Sequence, residues 1–290
     1  MDFVNELNDT KPIADILFKY ASKAGRDVIT TWNDWLEWCC KVFEWKAIDK
    51  AGGILQRFIE CKNEDAMFFE AMREWLELSY CEIYKRGAYD AFGTLYEANF
   101  QSSFKANSCG QFFTPMNICD VMSNVMVDGN DKCIMPTEEV VKFNDCACGS
   151  GRTLLAAWNR CNKYNRNLFF AGDLDSTSVY MCALNFMVHG MVGAVEKRDA
   201  LTRDWYFGFI VNACKVPFAN NFSCLQYYDN EEQYNQALYL LEKRAKDWDC
   251  IRFRPDTGAV VEEKKDDKVN KQGQKVQKTI KEPIELSLFD

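Results

Sequence analysis

Apolar positions recur at helical spacing through the first third of the chain. Phe43, Trp45 and Ile48 precede a Gly52-Gly53 break, Ile54, Leu55, Phe58 and Ile59 follow it, and Phe68, Met72, Trp75, Leu76 and Ile83 keep the same period. Strand signals are few, and Pro12 and the glycine pair supply punctuation. Residues 1–105 are therefore expected to form a helical N-terminal module whose aromatic stripes are core. From Cys109 the texture changes. Gly110-Gln111-Phe112-Phe113-Thr114-Pro115 is a polar-aromatic turn, and residues 118–127 read as a helix with Pro115 near its start and Gly129 past its end. Short apolar runs then alternate with helical ones. Residues 140–143, 168–173, 194–196 and 207–212 read as strands; 153–158 and 176–189 read as helices, the second stopped by Gly190. The alternation predicts an α/β domain over residues 106–262 with a parallel, doubly wound sheet and a ligand at the C-terminal ends of its strands.

Past Asn212 the pattern weakens. Residues 231–246 read as an amphipathic helix, and residues 250–254 and 259–261 flank Pro255-Asp256-Thr257-Gly258, a hairpin turn sequence. Residues 263–290 are expected to be a flexible basic tail, charged and nearly free of large apolar side chains until Ile284-Glu285-Leu286-Ser287-Leu288-Phe289. An apolar plug on a soluble tether is more often a ligand for another protein than a piece of the parent core.

A chain of 290 residues, 48% hydrophobic and 14% aromatic, can bury a sizeable core, which excludes a disordered protein. No basic N-terminal segment leads into an apolar run and no window is apolar for the length of a bilayer crossing, so a cytoplasmic protein without membrane attachment is expected. Fourteen scattered cysteines among apolar neighbours suit buried, reduced thiols. His189 is the sole histidine and neither Cys39-Cys40 nor Cys146-x-Cys148 has a second pair at zinc-finger spacing, which argues against a metal site. A net charge of −8 rules out coating nucleic acid by bulk electrostatics. Residues 264–281, with seven lysines against Asp266 and Asp267, are a local exception at +5 and leave −13 on the remainder.

The candidate chemistry centres on residues 144–152, Asn-Asp-Cys-Ala-Cys-Gly-Ser-Gly-Arg, between a strand and a helix. Gly149 and Gly151 let the backbone approach a small ligand at a helix N-terminus; an ordinary βα turn that needs glycines is the plain alternative. Acids then follow successive strands. Asp173 is placed to accept ribose hydroxyls and Asp199 to accept from an exocyclic amine on adenine. A hydride-transfer enzyme prefers a longer Gly-x-Gly-x-x-Gly turn, and position 154 is Leu, so S-adenosyl-L-methionine, which lacks a pyrophosphate, fits better.

Gly110 to Pro115, then Asp145-Cys146-Ala147-Cys148-Gly149-Ser150-Gly151, Ala171-Gly172-Asp173 and Leu184-Asn185-Phe186-Met187-Val188-His189-Gly190, resemble the ordered motifs of adenine-N6 DNA methyltransferases, with the modification subunit of type I restriction systems nearest. Gly93-Thr94-Leu95-Tyr96-Glu97 is similar to the helical lead-in of that domain, and the resemblance covers roughly residues 88–212. It implies a Rossmann-like S-adenosylmethionine-dependent methyltransferase fold acting on DNA in restriction-modification. It also implies that Phe112, Thr114 and Pro115 line the cofactor pocket, that the loop of Asp145, Cys146, Gly149, Ser150 and Gly151 holds the methionine part, and that Asp173 and Asp199 take the ribose and the adenine. Cys146 stands where the family usually has Pro.

The family's Asn/Asp-Pro-Pro-Tyr/Phe clamp, which stacks a flipped base and accepts hydrogen bonds from its amine, is degenerate here. The chain offers Val211-Asn212-Ala213-Cys214-Lys215-Val216-Pro217-Phe218. Asn212 could supply one acceptor and Phe218 an aromatic face, but they stand too far apart for a four-residue clamp. Cys214 as a cytosine-C5 nucleophile is the weaker reading, since nothing nearby marks it as activated and buried cysteines are abundant here. Two readings stay open: a DNA adenine-N6 methyltransferase, and a methyltransferase fold that binds cofactor, DNA or a protein without turnover. The chain after Asn212 is short for a target-recognition domain, so DNA sequence selection would need a specificity partner. Residues 285–289 resemble the Gln-Leu-x-Leu-Phe peptide of sliding-clamp ligands, with Leu286, Leu288 and Phe289 as the apolar anchors and Glu285 in place of Gln, which makes a clamp-tethered adaptor a third class.

Overall fold

The computed structural model describes residues 3–100, 113–127, 140–161, 166–213, 223–247, 252–253 and 260–261. Contacts divide the chain into two units, Met1–Lys246 and Asp247–Asp290.

In the first unit the N-terminal periodicity becomes six helices: α1 (Phe3–Ala24), α2 (Val28–Val42), α3 (Trp45–Ala51), α4 (Ile54–Glu64), α5 (Ala66–Arg86) and α6 (Ala91–Asn99). Their starts are set by side-chain caps. Asp27 accepts from Thr30 N at 2.9 Å, and Asp65 accepts from Met67 N and Phe68 N at 3.1 and 2.9 Å. Pro12 does not punctuate as expected: α1 runs through it. A proline inside a helix removes one backbone hydrogen bond, and here Ile13, Ala14, Leu17 and Ala21 keep one buried stripe going beyond it. The aromatic stripes do form core, with Trp32 stacked on Phe100 at 4.4 Å and Trp75 against Phe92 at 4.7 Å.

Then come α7 (Met116–Met126), β1 (Val140–Asp145), α8 (Arg152–Arg160), β2 (Arg166–Asp173), α9 (Ser176–Val188), β3 (Gly193–Arg198), β4 (Trp205–Val211), β5 (Leu225–Tyr228) and α10 (Glu231–Asp247). The five strands lie in sequential order, β1-β2-β3-β4-β5. β1, β2 and β3 are parallel and form, with α8 and α9, the βαβαβ unit expected of a Rossmann-like domain. β4 and β5 are antiparallel to their neighbours, which corrects the expectation of a wholly parallel, doubly wound sheet. Chain length explains it. Only residues 199–204 join β3 to β4, too few for the crossover a parallel pair requires, so the chain turns back as a hairpin.

α9 is buried all round except at Ser176 and Tyr180. One side packs on the sheet, where Phe186 meets Phe169 at 6.2 Å and Tyr180 stacks on Phe207 at 5.5 Å. Its other side meets α2, α5 and α6, and Thr177 Oγ1 donates to Asn33 Oδ1 at 2.8 Å. The helical module and the sheet thus share one apolar core through α9. α10 covers the opposite sheet face: Tyr234 fills the space above Gly208, and Lys142 pairs with Glu242 at 2.7 Å. In the second unit β6 (Arg252–Phe253) and β7 (Val260–Val261) pair antiparallel, as the hairpin reading predicts. No helix among the described residues is long and apolar enough to cross a membrane.

Candidate cofactor site

The site begins where the parallel strands end. Asp145 pairs with Ala171, two residues short of Asp173, and Asp173 pairs with Lys197, two residues short of Asp199. The three acids therefore form a staircase across the C-terminal edge, each step about 6.6 Å further along the strand direction. By register Asp145 and Asp173 share the face that carries Phe143 and Phe169, the side covered by α8 and α9.

Between β1 and α8 the chain turns tightly. Asp145 Oδ1 accepts from Ala147 N at 3.0 Å, an Asx turn that stiffens the position where Cys146, exposed, replaces the family's proline. Cys148 N donates to Gly172 O at 3.0 Å and Gly151 N to Cys148 O at 2.8 Å. Gly149 and Gly151 both adopt left-handed backbone, φ 55° and 92°, and a Cβ at Gly149 would stand 2.6 Å from the Phe113 ring. Phe113 thus brings residues 113–115 onto the loop. Thr114 and Pro115 are exposed beside it, Pro115 caps α7, and Phe112 lies outside the described residues.

Asp173 is tied to this loop: its Oδ2 accepts from Gly149 N at 2.9 Å and its Oδ1 from Asp175 N at 2.9 Å. Burial pushes its carboxyl above the usual value, against the pull of its backbone donors. A carboxylate has about four lone-pair positions. Acceptor capacity therefore remains on Asp173 beside its backbone donors, which suits a ligand hydroxyl. Asp199 sits in the β3–β4 turn, where the N–H groups of Thr202 and Leu201, at 3.1 and 2.8 Å, hold its carboxyl below the usual range. The expected cofactor residues Asp145, Cys146, Gly149, Gly151, Asp173, Thr114 and Pro115 are thus gathered around the loop, with Asp199 at the next strand end.

Two expected residues are placed differently. Ser150 is fully buried, and its hydroxyl donates inward to Asp90 Oδ2 at 2.6 Å. Asn212 is also buried and points into the protein. Its Nδ2 lies 3.3, 3.2 and 2.8 Å from the carbonyls of Phe186, Met187 and Met191, and its Oδ1 accepts from Cys224 N at 3.1 Å. Its φ of 56° is one that Asn tolerates. The structure gives this side chain a tethering role between α9 and β5 rather than an outward acceptor. Phe218 and Cys214 lie outside the described residues, as do Leu286, Leu288 and Phe289.

Sequence reasoning missed Asp90. It caps α6 through Gly93 N at 2.8 Å and also receives Arg152 Nε at 2.6 Å and Asn185 Nδ2 at 2.8 Å. A capping Asp just before Ala91 was legible; its other partners, 60 to 95 residues away, were not. Of the buried thiols, Cys148 is pushed up by its contact with Cys182 and by burial, and Cys39 and Cys40 by burial first, so none of these is a poised nucleophile. Among the described residues no cluster of His, Cys, Asp and Glu is arranged to hold a metal ion.

A model of the N-6 DNA methylase family matches residues 87–253, more than half of the chain. No curated protein sequence matches. Among solved structures, a type I restriction-modification system methyltransferase subunit from Streptococcus thermophilus is similar at 14% identity and a TM-score of 0.30, over 66% of this chain and 52% of that one. The chain thus spans about half the length of that subunit, and a likeness of that degree bears on neither fold nor function.

Proposed function

The chain belongs to the N-6 DNA methylase family, and from that premise we propose that it binds S-adenosyl-L-methionine and transfers its methyl group to the exocyclic amine of adenine in DNA. The observation that carries this reading is the Asp145-Asp173-Asp199 staircase beside a glycine loop that Asp173 itself closes through Gly149. The donor set fits the cofactor. Asp173 keeps acceptor capacity for a ribose hydroxyl, and Asp199, at the next strand end, accepts from an adenine amine. Gly149 and Gly151 give the loop the left-handed backbone that lets it pack against Phe113 and Cys182, and the methionine part would lie along this loop, beside Thr114 and Pro115. When bound, the cofactor supplies an electrophilic methyl on a sulfonium; the protein's part is to orient it and exclude water.

Cofactor binding without turnover is the second reading, favoured by the inward Asn212, whose amide is committed to backbone partners. One experiment separates the two. Purified protein is incubated with methyl-labelled cofactor and mixed-sequence DNA: label in N6-methyladenine supports transfer, whereas saturable binding with no label in DNA supports the second reading. Absence of both binding and transfer would sink the cofactor assignment altogether. A specificity partner for DNA and a sliding clamp for residues 285–289 belong to the same proposal. For the clamp, removing residues 285–290 abolishes binding to purified clamp, and unchanged affinity refutes that contact.

A further inference from the structure

Asp90 stands outside the glycine loop, at the junction of α5 and α6, yet three of the four hydrogen bonds to its carboxylate come from Ser150 in the loop, Arg152 at the start of α8 and Asn185 on α9. Oδ1 accepts from Gly93 N and Asn185 Nδ2, both at 2.8 Å; Oδ2 accepts from Ser150 Oγ and Arg152 Nε, both at 2.6 Å. Capping α6 needs only the first. With four donors on about four lone-pair positions, the carboxylate is saturated and free to do nothing but hold. The four residues supplying or accepting these side-chain bonds are buried: Ser150 at 0%, Asn185 at 1%, Asp90 at 5% and Arg152 at 8% exposure.

The loop is gripped from several sides. Asn185 Nδ2 also reaches Ser150 O at 2.9 Å, so Ser150 is held by its hydroxyl and its carbonyl. Arg152 extends beyond Asp90 to Glu97 at 2.8 Å and lies over the Phe113 ring at 5.5 Å, and Phe113 closes on Gly149. His189 braces the far end: its Nδ1 lies 2.7 Å from Asn185 O, and its Nε2 accepts from Tyr89 N at 3.1 Å, which fixes the residue before Asp90. Gly93 is where this arrangement leaves no space, since a Cβ there would stand 2.0 Å from Asp90 Oδ2 and 2.7 Å from Ser150 Oγ.

We infer that Asp90 is a positioning residue for the cofactor loop: through Ser150, Arg152 and Asn185 it fixes the turn whose other side closes on Asp173, so that the helical module sets the geometry of the proposed cofactor site. The inference rests on the reading given under Proposed function, and two readouts keep the two apart. Asp90→Asn puts an NH2 where one oxygen now receives two donors, and Ser150→Ala deletes a single donor at little cost in volume.

Hydrogen exchange of the amides of residues 145–151 reads the loop without any cofactor. It is expected to speed up about ten-fold or more in Asp90→Asn and by a smaller factor in Ser150→Ala, while the β2 and β3 amides keep their wild-type rates. The dissociation constant for S-adenosylmethionine, measured where every variant is folded, is expected to rise about ten-fold or more in Asp90→Asn, with the double variant no weaker than Asp90→Asn alone. Loop exchange unchanged in both variants overturns the inference, as does acceleration shared equally by loop and strands, the mark of a merely structural role. Should Asp90→Asn fail to fold, Ser150→Ala carries the same two tests. Wild-type protein that binds no cofactor refutes the cofactor assignment, and loop exchange still decides the role of Asp90.

Discussion

Replacing Asn212 separates a tether from a catalytic acceptor. Its amide has two N–H groups shared among three carbonyls at 2.8 to 3.3 Å and one oxygen on Cys224 N, so truncation removes about three buried hydrogen bonds. At about 1 kcal/mol each, with about 1 kcal/mol more for the desolvated carbonyls that lose the amide, Asn212→Gly is expected to lose about 4 kcal/mol. Asn212→Ala loses about 1 kcal/mol beyond that, because its φ of 56° is left-handed and suits Gly but not Ala. For a unit of this size 1 kcal/mol moves the melting temperature by about 2–4 °C, so a drop of about 8–16 °C is expected for Gly and about 10–20 °C for Ala. Urea unfolding followed by circular dichroism gives the free energies, and the calorimetric melt gives the temperatures. A variant that keeps wild-type stability and cofactor affinity but loses methyl transfer refutes the tether and returns Asn212 to the reacting amine.

At Gly149 a methyl group meets both a left-handed φ of 55° and the Phe113 ring at 2.6 Å, so Gly149→Ala is expected to cost about 3 kcal/mol and to weaken cofactor binding; an unchanged melt contradicts the loop geometry. Asp173 carries a pH signature. Burial raises its carboxyl in the folded state, so the ionised form is penalised by folding: its contribution to stability is most favourable below the ordinary carboxylate value and declines as pH rises through the window up to the raised one. Urea melts from pH 3.5 to 7 should show wild type losing stability relative to Asp173→Asn as pH rises across that window, and a flat difference contradicts the burial.

Asp173 and the glycine loop were legible in the sequence because their signals are local: an acid at the end of an apolar run, and glycines where the backbone must take positive φ. The parallel β1-β2-β3 unit was legible for the same reason, since helical runs separate the strand runs. Strand direction beyond that is not written in periodicity. The reversal at β4 is set by how few residues join it to Arg198, a length signal rather than a hydropathy one. β5 went unread because Leu225-Gln226-Tyr227-Tyr228 is only four residues long and pairs with a strand that precedes it by a long connection. Side-chain roles were least legible of all. Ser150 looked like a ligand-facing residue and Asn212 like an acceptor because their sequence neighbours fit those roles, but partners 60 and 12 to 26 residues away claim both side chains.

The central claim is that the strand-end acids and the glycine loop form an S-adenosylmethionine site, and equilibrium titration of wild type and Asp173→Asn with the cofactor tests it most directly. Wild type should bind at one site, and Asp173→Asn, compared under conditions where both proteins are folded, should bind at least about ten-fold more weakly because an amide NH2 replaces one of the two accepting oxygens. Equal affinity of the two proteins, or no binding by either, contradicts the account.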